Sequence, residues 1–442
     1  MKKHIITLTA IIAALSLAGC SSGNAAMTNG GSAPTSGTGI SSSPEKFEGT
    51  DIGGKKESFF NKIGGIFDDA AAPEAAGGAF EADATAADAA PGGDYYIMPE
   101  DYPDKPDIPP QSGLLTGGEW NDNAHWTDWN ALYGSREEWR HYKSDWDTVD
   151  DYRLTVTVTS DGKPLEGASV TCEGCTAALT DNKGKAYLFS DGIPSSEVKV
   201  VCGDKESSML ADWVPDEHDL TLSVDMDGAV SPISQKLDLM IMCDTTGSMG
   251  DELEYLKVEL EDIVKSIKSN NANIPTRVSV NFYRDTDDEY EVRQFPFSEN
   301  IDEVAEAIRE QSASGGGDFP EAVHTALDSA VNKHDWNEDS VKIMFLVLDA
   351  PPHDDAQIID SVNKYVAKAA EMGIRIVPVA SSGIDKSTEY LLRAMAFTTG
   401  GTYTFLTDDS GVGGEHIEPT VGAYNVEKLK DMMIRIVNGY LE

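Results

Sequence analysis

Asp244, Thr246 and Ser248 occupy alternate positions in Asp244-Thr245-Thr246-Gly247-Ser248. Held in a turn, that spacing aims one carboxylate and two hydroxyls at a common centre. Hard oxygen donors of this kind suit Mg²⁺, with Mn²⁺ or Ca²⁺ as alternatives. Two more carboxylates stand in comparable settings downstream. Asp349 follows the apolar run Ile343–Leu348, and Asp318 follows the glycines Gly315, Gly316 and Gly317. Each of these residues also has a plainer use. Thr246 or Ser248 could cap a helix, Asp318 could cap a helix begun by Pro320, and Asp349 could be a turn residue.

The elements that must position them are legible as patterns. The apolar run from Leu237 to Cys243 is short and stops abruptly at Asp244, which predicts a buried parallel strand. Leu253, Leu256, Leu260, Ile263, Val264 and Ile267 then repeat at helical spacing, a stripe that would pack on a sheet. From 229 to 442 the alternation continues. Strands are expected at 237–243, 276–283, 291–297, 342–348, 374–380 and 402–406. Helices are expected at 251–268, 301–311, 320–332, 356–371, 386–398 and 425–440. This predicts an α/β fold, a doubly wound, mostly parallel six-stranded sheet with right-handed crossovers. Asp244 and Asp349 would then both lie at carboxyl ends of strands, where such sheets bind ligands.

Taken together, these segments resemble the von Willebrand factor A domain. "DTTGS" is similar to the Asp-x-Ser-x-Ser loop that opens that family's metal-ion-dependent adhesion site, with Thr246 keeping the first hydroxyl. Lys342–His353 is similar to the strand that ends in the family's Thr-Asp-Gly turn. "SGGGDFPE", residues 314–321, is similar to the segment where many members place a metal-binding Thr. Here that position is Asp318, a departure found also in a branch that resembles hemicentin. The resemblance implies that the first and fourth strands lie side by side. It implies Thr246 and Ser248 as direct ligands of the ion, Asp244 and Asp349 acting directly or through water, and Asp318 as the fifth group. A third Asp would hold the cation more tightly and leave it less attractive to an acidic ligand. In the family a Glu or Asp of a partner completes the coordination, so the implied partner is a protein offering an acidic side chain. Arg284, Asp285 and His353 are candidate rim residues; an acidic solvated loop is the other reading of 284–288, and His353 could instead orient its turn.

Charge narrows the function classes. Lys and Arg number 34 against 76 Asp and Glu, a formal net charge of −42. That excludes nucleic-acid or anionic-membrane binding through a basic face. The Gly-rich loop lacks the Gly-Lys-Ser/Thr of a phosphate cradle, and no Ser/His/Asp or Cys/His set is recognisable. In phosphatases that use Asp-x-Asp with Mg²⁺, the second Asp would fall at Thr246. The expectation is a cell-surface binding or adhesion protein and not an enzyme. An envelope scaffold without a metal-bridged ligand and a metal-dependent hydrolase are the alternatives.

Residues 1–20 read as a signal peptide: Lys2 and Lys3 precede the apolar stretch Ile5–Leu17. Leu17-Ala18-Gly19-Cys20 resembles the lipobox of bacterial lipoproteins. That resemblance implies an acylated, palmitate-bearing Cys20 and an extracytoplasmic protein held to a bacterial membrane by lipid alone. No later run approaches the ~18 apolar residues of a membrane span. Residues 21–112, rich in Ser, Gly, Ala, Pro, Asp and Glu, predict a disordered acidic spacer. Its exception, Phe59–Phe67, could form a short amphipathic helix weakened by two glycines.

Residues 113–150 crowd Trp120, Trp126, Trp129, Trp139 and Trp146 together. They would wrap over a neighbouring domain or present a carbohydrate-stacking surface. Residues 151–228 read as all-β, with Leu154, Val156 and Val158 alternating and turns at Asp161-Gly162 and Asn182–Gly184. "GKPLEGASV" and "TDNKG" resemble carboxypeptidase-regulatory-like domains, which implies a small Greek-key β-sandwich with a structural role. Outside the cytoplasm Cys172, Cys175 and Cys202 could form a disulfide, expected between Cys202 and one of the other two. With His218 they could instead bind zinc. Cys243 is expected to be a buried free thiol.

Overall fold

A computed structural model describes residues 109–214 and 217–442; the segment expected to be a signal peptide, Cys20 and the expected spacer up to residue 108, including Phe59–Phe67, lie outside the described residues. In chain order the first elements are β1 (Thr116–Trp120), α1 (Trp126–Ser135) and α2 (Glu137–Trp146). Eight short strands follow: β2 (Tyr152–Ser160), β3 (Lys163–Pro164), β4 (Ser169–Cys172), β5 (Ala178–Leu179), β6 (Lys185–Ser190), β7 (Glu197–Cys202), β8 (Lys205–Leu210) and β9 (Asp219–Asp225). The remainder runs β10 (Leu237–Asp244), α3 (Leu253–Asn270), β11 (Thr276–Tyr283), β12 (Val292–Arg293), α4 (Ile301–Arg309), α5 (Val323–Asn332), β13 (Val341–Leu348), α6 (Ala356–Met372), β14 (Ile374–Ala380), α7 (Lys386–Thr399), β15 (Tyr403–Leu406), β16 (Glu427–Lys428) and α8 (Leu429–Leu441).

One sheet has the order β12-β11-β10-β13-β14-β15-β1-β16. Its five central strands, β11 to β15 in that order, are parallel to one another. β10 and β13 are neighbours, with Cys243 opposite Val347. Every residue of β10 and β14 is buried. Helices cover both faces, which is why these strands read as unbroken apolar runs. On one face Leu239, Ile241 and Val280 meet the α3 stripe of Leu253, Leu256, Leu260, Ile263, Val264 and Ile267. Each such side chain contributes about 1.5–3 kcal/mol on burial. On the other face Met240, Met242, Met344 and Leu346 share a core with α5, α6 and α7. Asp355 caps α6 by accepting from the Gln357 amide at 2.8 Å, and Asp385 caps α7 by accepting from Thr388 at 2.7 Å.

Three elements differ from the sequence expectation, each for a local reason. The strand expected at 291–297 shrinks to β12, because side chains take over its ladder. Ser279 Oγ donates to the Phe295 carbonyl at 2.7 Å, and Asn281 Oδ1 accepts from the Phe295 amide at 2.9 Å. The helix expected from 320 starts at Val323, because the Glu321 amide bonds to the Pro351 carbonyl at 2.9 Å. Asp318 therefore caps no helix. The helix expected from 425 starts at Leu429, because Glu427 and Lys428 pair with β1.

β1 comes from the Trp-rich segment and extends the sheet beyond the six strands expected within 229–442. It pairs antiparallel with β15 and with β16. The five tryptophans of the segment are all buried, and Trp129 packs on Tyr390 and Phe397 of α7 at ring distances of 5.2 and 5.0 Å. They wrap over the sheet domain, and their buried rings leave no open face for stacking a sugar. Arg393 of α7 ties the segment down. Its Nε and Nη2 donate to Asp122 at 3.0 and 2.6 Å, and its Nη1 donates to the Thr420 carbonyl at 2.6 Å.

Residues 152–225 form two four-stranded sheets around their own core, with Leu154, Val156 and Leu188 from one and Val170, Val198 and Val200 from the other. The disulfide expected to Cys202 is not formed; all four described cysteines are free. The register explains this. Cys172 stands opposite Val198, so Cys202 lies four residues further along β7. At ~3.3 Å per residue the two are roughly 13 Å apart, against the ~7 Å limit for a bridge. Cys175 sits at the Cys172 end, its amide bonded to the Cys172 carbonyl at 3.0 Å. The zinc alternative fails as well. His218 bonds the Asp151 carbonyl at 2.9 Å and stacks on Tyr152, and no cysteine-containing metal cluster occurs among the described residues. Cys243 is fully buried and free.

Candidate metal centre at the strand ends

β10 delivers Asp244 to the carboxyl edge of the sheet, and the chain turns at once through the 3₁₀ segment Gly247–Asp251. Asp244 Oδ1 accepts from the Thr246 amide at 2.8 Å and from the Thr246 hydroxyl at 2.7 Å. The Thr246 and Ser248 hydroxyls are 3.1 Å apart. β13 delivers Asp349 beside them, within reach of the Ser248 hydroxyl. Asp244, Thr246, Ser248 and Asp349 are thus brought together as their spacing suggested.

The Gly-rich loop closes over this group. The Ser314 amide bonds the Thr245 carbonyl at 3.0 Å, and the Gly247 amide bonds the Gly315 carbonyl at 3.1 Å. Gly316 has φ +72°, and a Cβ there would stand 2.9 Å from Glu321 Oε1 and 3.4 Å from Thr246 Cβ. The glycine therefore leaves room for Glu321 to lie against Thr246. Glu321 is 2% exposed, whereas Asp318 is exposed and joins none of these interactions. The third carboxylate found beside these hydroxyls is Glu321, three residues beyond the Asp that the motif suggested. The missed signal was Pro320. Taken as the first helical residue, it hid the fact that residue 321 still belongs to the loop.

The rim residues are also reassigned. Arg284 is 4% exposed, with Nη2 on the Ser312 carbonyl at 2.9 Å and its guanidinium over the Tyr290 ring. Asp285 is buried and pairs with His353 Nε2 at 2.7 Å. Arg284 and Asp285 therefore join loops to one another and present little to a ligand, and His353 orients the turn after β13.

The electrostatics describe a site short of positive charge. Burial pushes Asp244 up to about 6, against the pull of Thr246 and Tyr283. Burial and then the Asp244 charge push Asp349 up to about 7. Burial and the charges of Asp244, Asp285 and Asp349 push Glu321 up to about 9. Asp244 Oδ2, Asp349 Oδ1 and Glu321 Oε2 are buried without a hydrogen-bond partner. No Lys or Arg among the described residues pairs with any of the three. Buried, unpaired carboxylates are costly, and a bound cation removes that cost. With two adjacent hydroxyls, the donor set is all oxygen and fits a hard divalent ion. A second acidic cluster, Asp150, Asp151 and Asp191, is different in kind: Lys143 Nζ sits among the three at 2.8, 2.6 and 2.8 Å.

Residues 238–418 match the family described as von Willebrand factor A domain. An ariadne-like RING finger protein of Acanthamoeba polyphaga mimivirus is 36% identical over 117 residues, 26% of this chain and 11% of that protein. The alpha-protein kinase vwkA of Dictyostelium discoideum is 28% identical over 123 residues, 27% of this chain and 19% of that protein. The chain thus spans less than a fifth of the length of either relative. Two solved structures are similar over 46% of this chain and 98% of their own: an aerotolerance-related membrane protein of Bacteroides fragilis (11% identity, TM-score 0.31) and BatB of Bacteroides thetaiotaomicron (13% identity, TM-score 0.32). Among the described residues no helix is long and apolar enough to cross a membrane. The parallel sheet, the Asp-x-Thr-x-Ser turn at its carboxyl edge and the match over 238–418 together identify a von Willebrand factor A domain in this chain.

Proposed function

We propose that the chain is a binding protein whose A domain holds a divalent cation and grips a protein ligand through it. Thr246 and Ser248 supply hydroxyl ligands, Asp244 and Asp349 act directly or through water, and Glu321 is the fifth group. Mg²⁺ suits the small all-oxygen set, with Mn²⁺ or Ca²⁺ as alternatives. An acidic side chain of the partner completes the coordination. The observation that carries this reading is the trio of orphaned carboxylate oxygens beside two hydroxyls 3.1 Å apart. Attachment through a lipid on Cys20, outside the cytoplasmic membrane, rests on the sequence of residues 1–20 and completes the proposal.

Calorimetric titration of Mg²⁺, Mn²⁺ and Ca²⁺ into the chelator-stripped chain, beside Asp244→Ala, tests it. Saturable binding that the variant loses supports the ion site. Equal heats in both proteins, or none in either, overturn it and leave a domain that scaffolds without metal.

A further inference from the structure

The parallel strands all release their loops at one edge, the edge that carries Asp244 and Asp349. The loops are 245–252, 284–291, 349–355, 381–385 and 407–418, and the backbone bonds from Thr245 and Gly247 hold 312–322 among them. These six segments contain seventeen Asp and Glu, one Arg and no Lys. The Arg is Arg284, which is buried and spent on Ser312 and Tyr290. Cations gather instead at the amino edge, where Lys236, Arg277, Lys342 and Arg375 stand at or next to strand starts. The amino edge is mixed, with Lys236 paired to Asp339 and Arg277 to Asp238, whereas the carboxyl edge is acidic and its neighbouring Lys386 is taken up by Glu389 and the Glu418 carbonyl.

Two further observations mark this edge as a receiving surface. The buried oxygens of Asp244, Asp349 and Glu321 lack partners, and Phe319 is 44% exposed on the loop that covers them. We propose that the ligand is a basic protein surface in which one Asp or Glu is flanked by Lys or Arg, with an apolar side chain laid against Phe319. The proposal rests on the metal-bridged reading and names the class of partner it takes.

Simple charge arithmetic leads there. A divalent ion among three carboxylates carries no surplus positive charge, so it can coordinate a ligand carboxylate at contact but cannot draw one in from solution. The exposed Asp287, Asp318, Asp354 and Asp409 repel an ordinary acidic segment before contact. Attraction at range has to come from Lys and Arg on the partner, which also discriminate against purely acidic competitors.

The test uses fluorescence anisotropy of labelled nonapeptides with the full chain in Mg²⁺. One peptide has a central Asp flanked by Lys and Arg; others have Ser flanks, Glu flanks, or a central Asn within Lys and Arg. The Lys/Arg-flanked Asp peptide is expected to bind roughly tenfold more tightly than the Ser-flanked one, and the Glu-flanked one most weakly. Its binding should require Mg²⁺ and the central Asp, and weaken several-fold when salt rises from about 0.05 to 0.3 M. Asp354→Lys combined with Asp409→Lys should narrow the gap between Lys/Arg and Ser flanks. Equal affinity for Ser and Lys/Arg flanks, with Mg²⁺ still required, overturns the basic partner and leaves the metal-bridged reading standing. Undiminished binding of the Asn peptide in chelator overturns both. So does a lack of saturable Mg²⁺ binding by calorimetry. A chain that binds Mg²⁺ but not the Lys/Arg-flanked Asp peptide overturns the basic partner alone.

Discussion

Arg393→Met should cost about 4 kcal/mol of stability, a large fraction of what a domain has. Arg393 and Asp122 are both almost fully buried, and their two hydrogen bonds of 2.6 and 3.0 Å form a bidentate pair. Met preserves the length and apolar stem of the side chain on α7 but leaves Asp122 with only the Trp120 indole N–H at 3.2 Å. Removing one member of a buried pair typically costs about 3–5 kcal/mol, because the other charge stays desolvated. The guanidinium also lies over Trp129 and Trp139, 4.9 and 5.3 Å from the ring centres, and losing that contact adds about 1 kcal/mol or less. At about 2–4 °C per kcal/mol the midpoint of thermal unfolding should fall by roughly 10 °C. Urea unfolding of Arg393→Met, Asp122→Asn and the double variant measures it. The double variant should be clearly less damaged than the sum of the singles, with a coupling of about 2 kcal/mol. A loss below about 1 kcal/mol, or strict additivity, would show that the Trp-rich segment is held by its aromatic packing alone.

Glu321→Gln should weaken Mg²⁺ binding about tenfold or more in calorimetry, while Asp318→Asn changes it by less than about threefold; the reverse order would restore Asp318 as the fifth group. His416 lies 3.0 Å from Glu252 and 2.8 Å from Asp408; burial pulls its pKa down, but these two carboxylates outweigh it and hold it above the usual value. A raised folded pKa contributes stability that is complete below about pH 6.5 and is lost as pH rises through the folded value. The difference in thermal midpoint between wild type and His416→Gln should therefore shrink as pH rises above about 6.5, and a constant difference would refute the charge pairing. A Cβ on Gly401 would lie 1.9 Å from the Ile376 carbonyl oxygen, so Gly401→Ala should cost about 3 kcal/mol in urea unfolding; a neutral result would mean that β14 and β15 can separate freely.

What the sequence shows and hides follows from where each signal is stored. The strand Leu237–Asp244 is apolar because both its faces are covered, and that requirement is written into adjacent residues. The pairing of Asp244 with Asp349 is readable because both end such runs. Glu321 is different. Its place is set by a backbone bond to Pro351 and by the space above Gly316, contacts that join loops distant in the chain. β1 is harder still. "TGGEW" has no period-two apolar pattern, and its glycines exist for its neighbours: a Cβ on Gly117 would meet the Phe405 carbonyl oxygen at 2.7 Å, and one on Gly118 the Phe405 ring at 2.5 Å. The cysteines illustrate the same limit, since the composition allows a bridge that the register of β4 and β7 forbids.

β1 also determines how the molecule would carry load. Its ladder to β15 runs from Gly117 opposite Leu406 to Trp120 opposite Tyr403, and β16 grips its other side at Thr116 and Gly117. A pull along the strand from the amino-terminal side loads these bonds in shear, so they must give way together and not one after another as in a zipper. Tension arriving at β1 crosses through β15, β14 and β13 to the strand that ends in Asp244. The two small sheets of residues 152–225, threaded between β1 and β10, lie outside that line of force. They stay slack while β1 holds, and if β1 slips α1 and α2 are drawn taut before them.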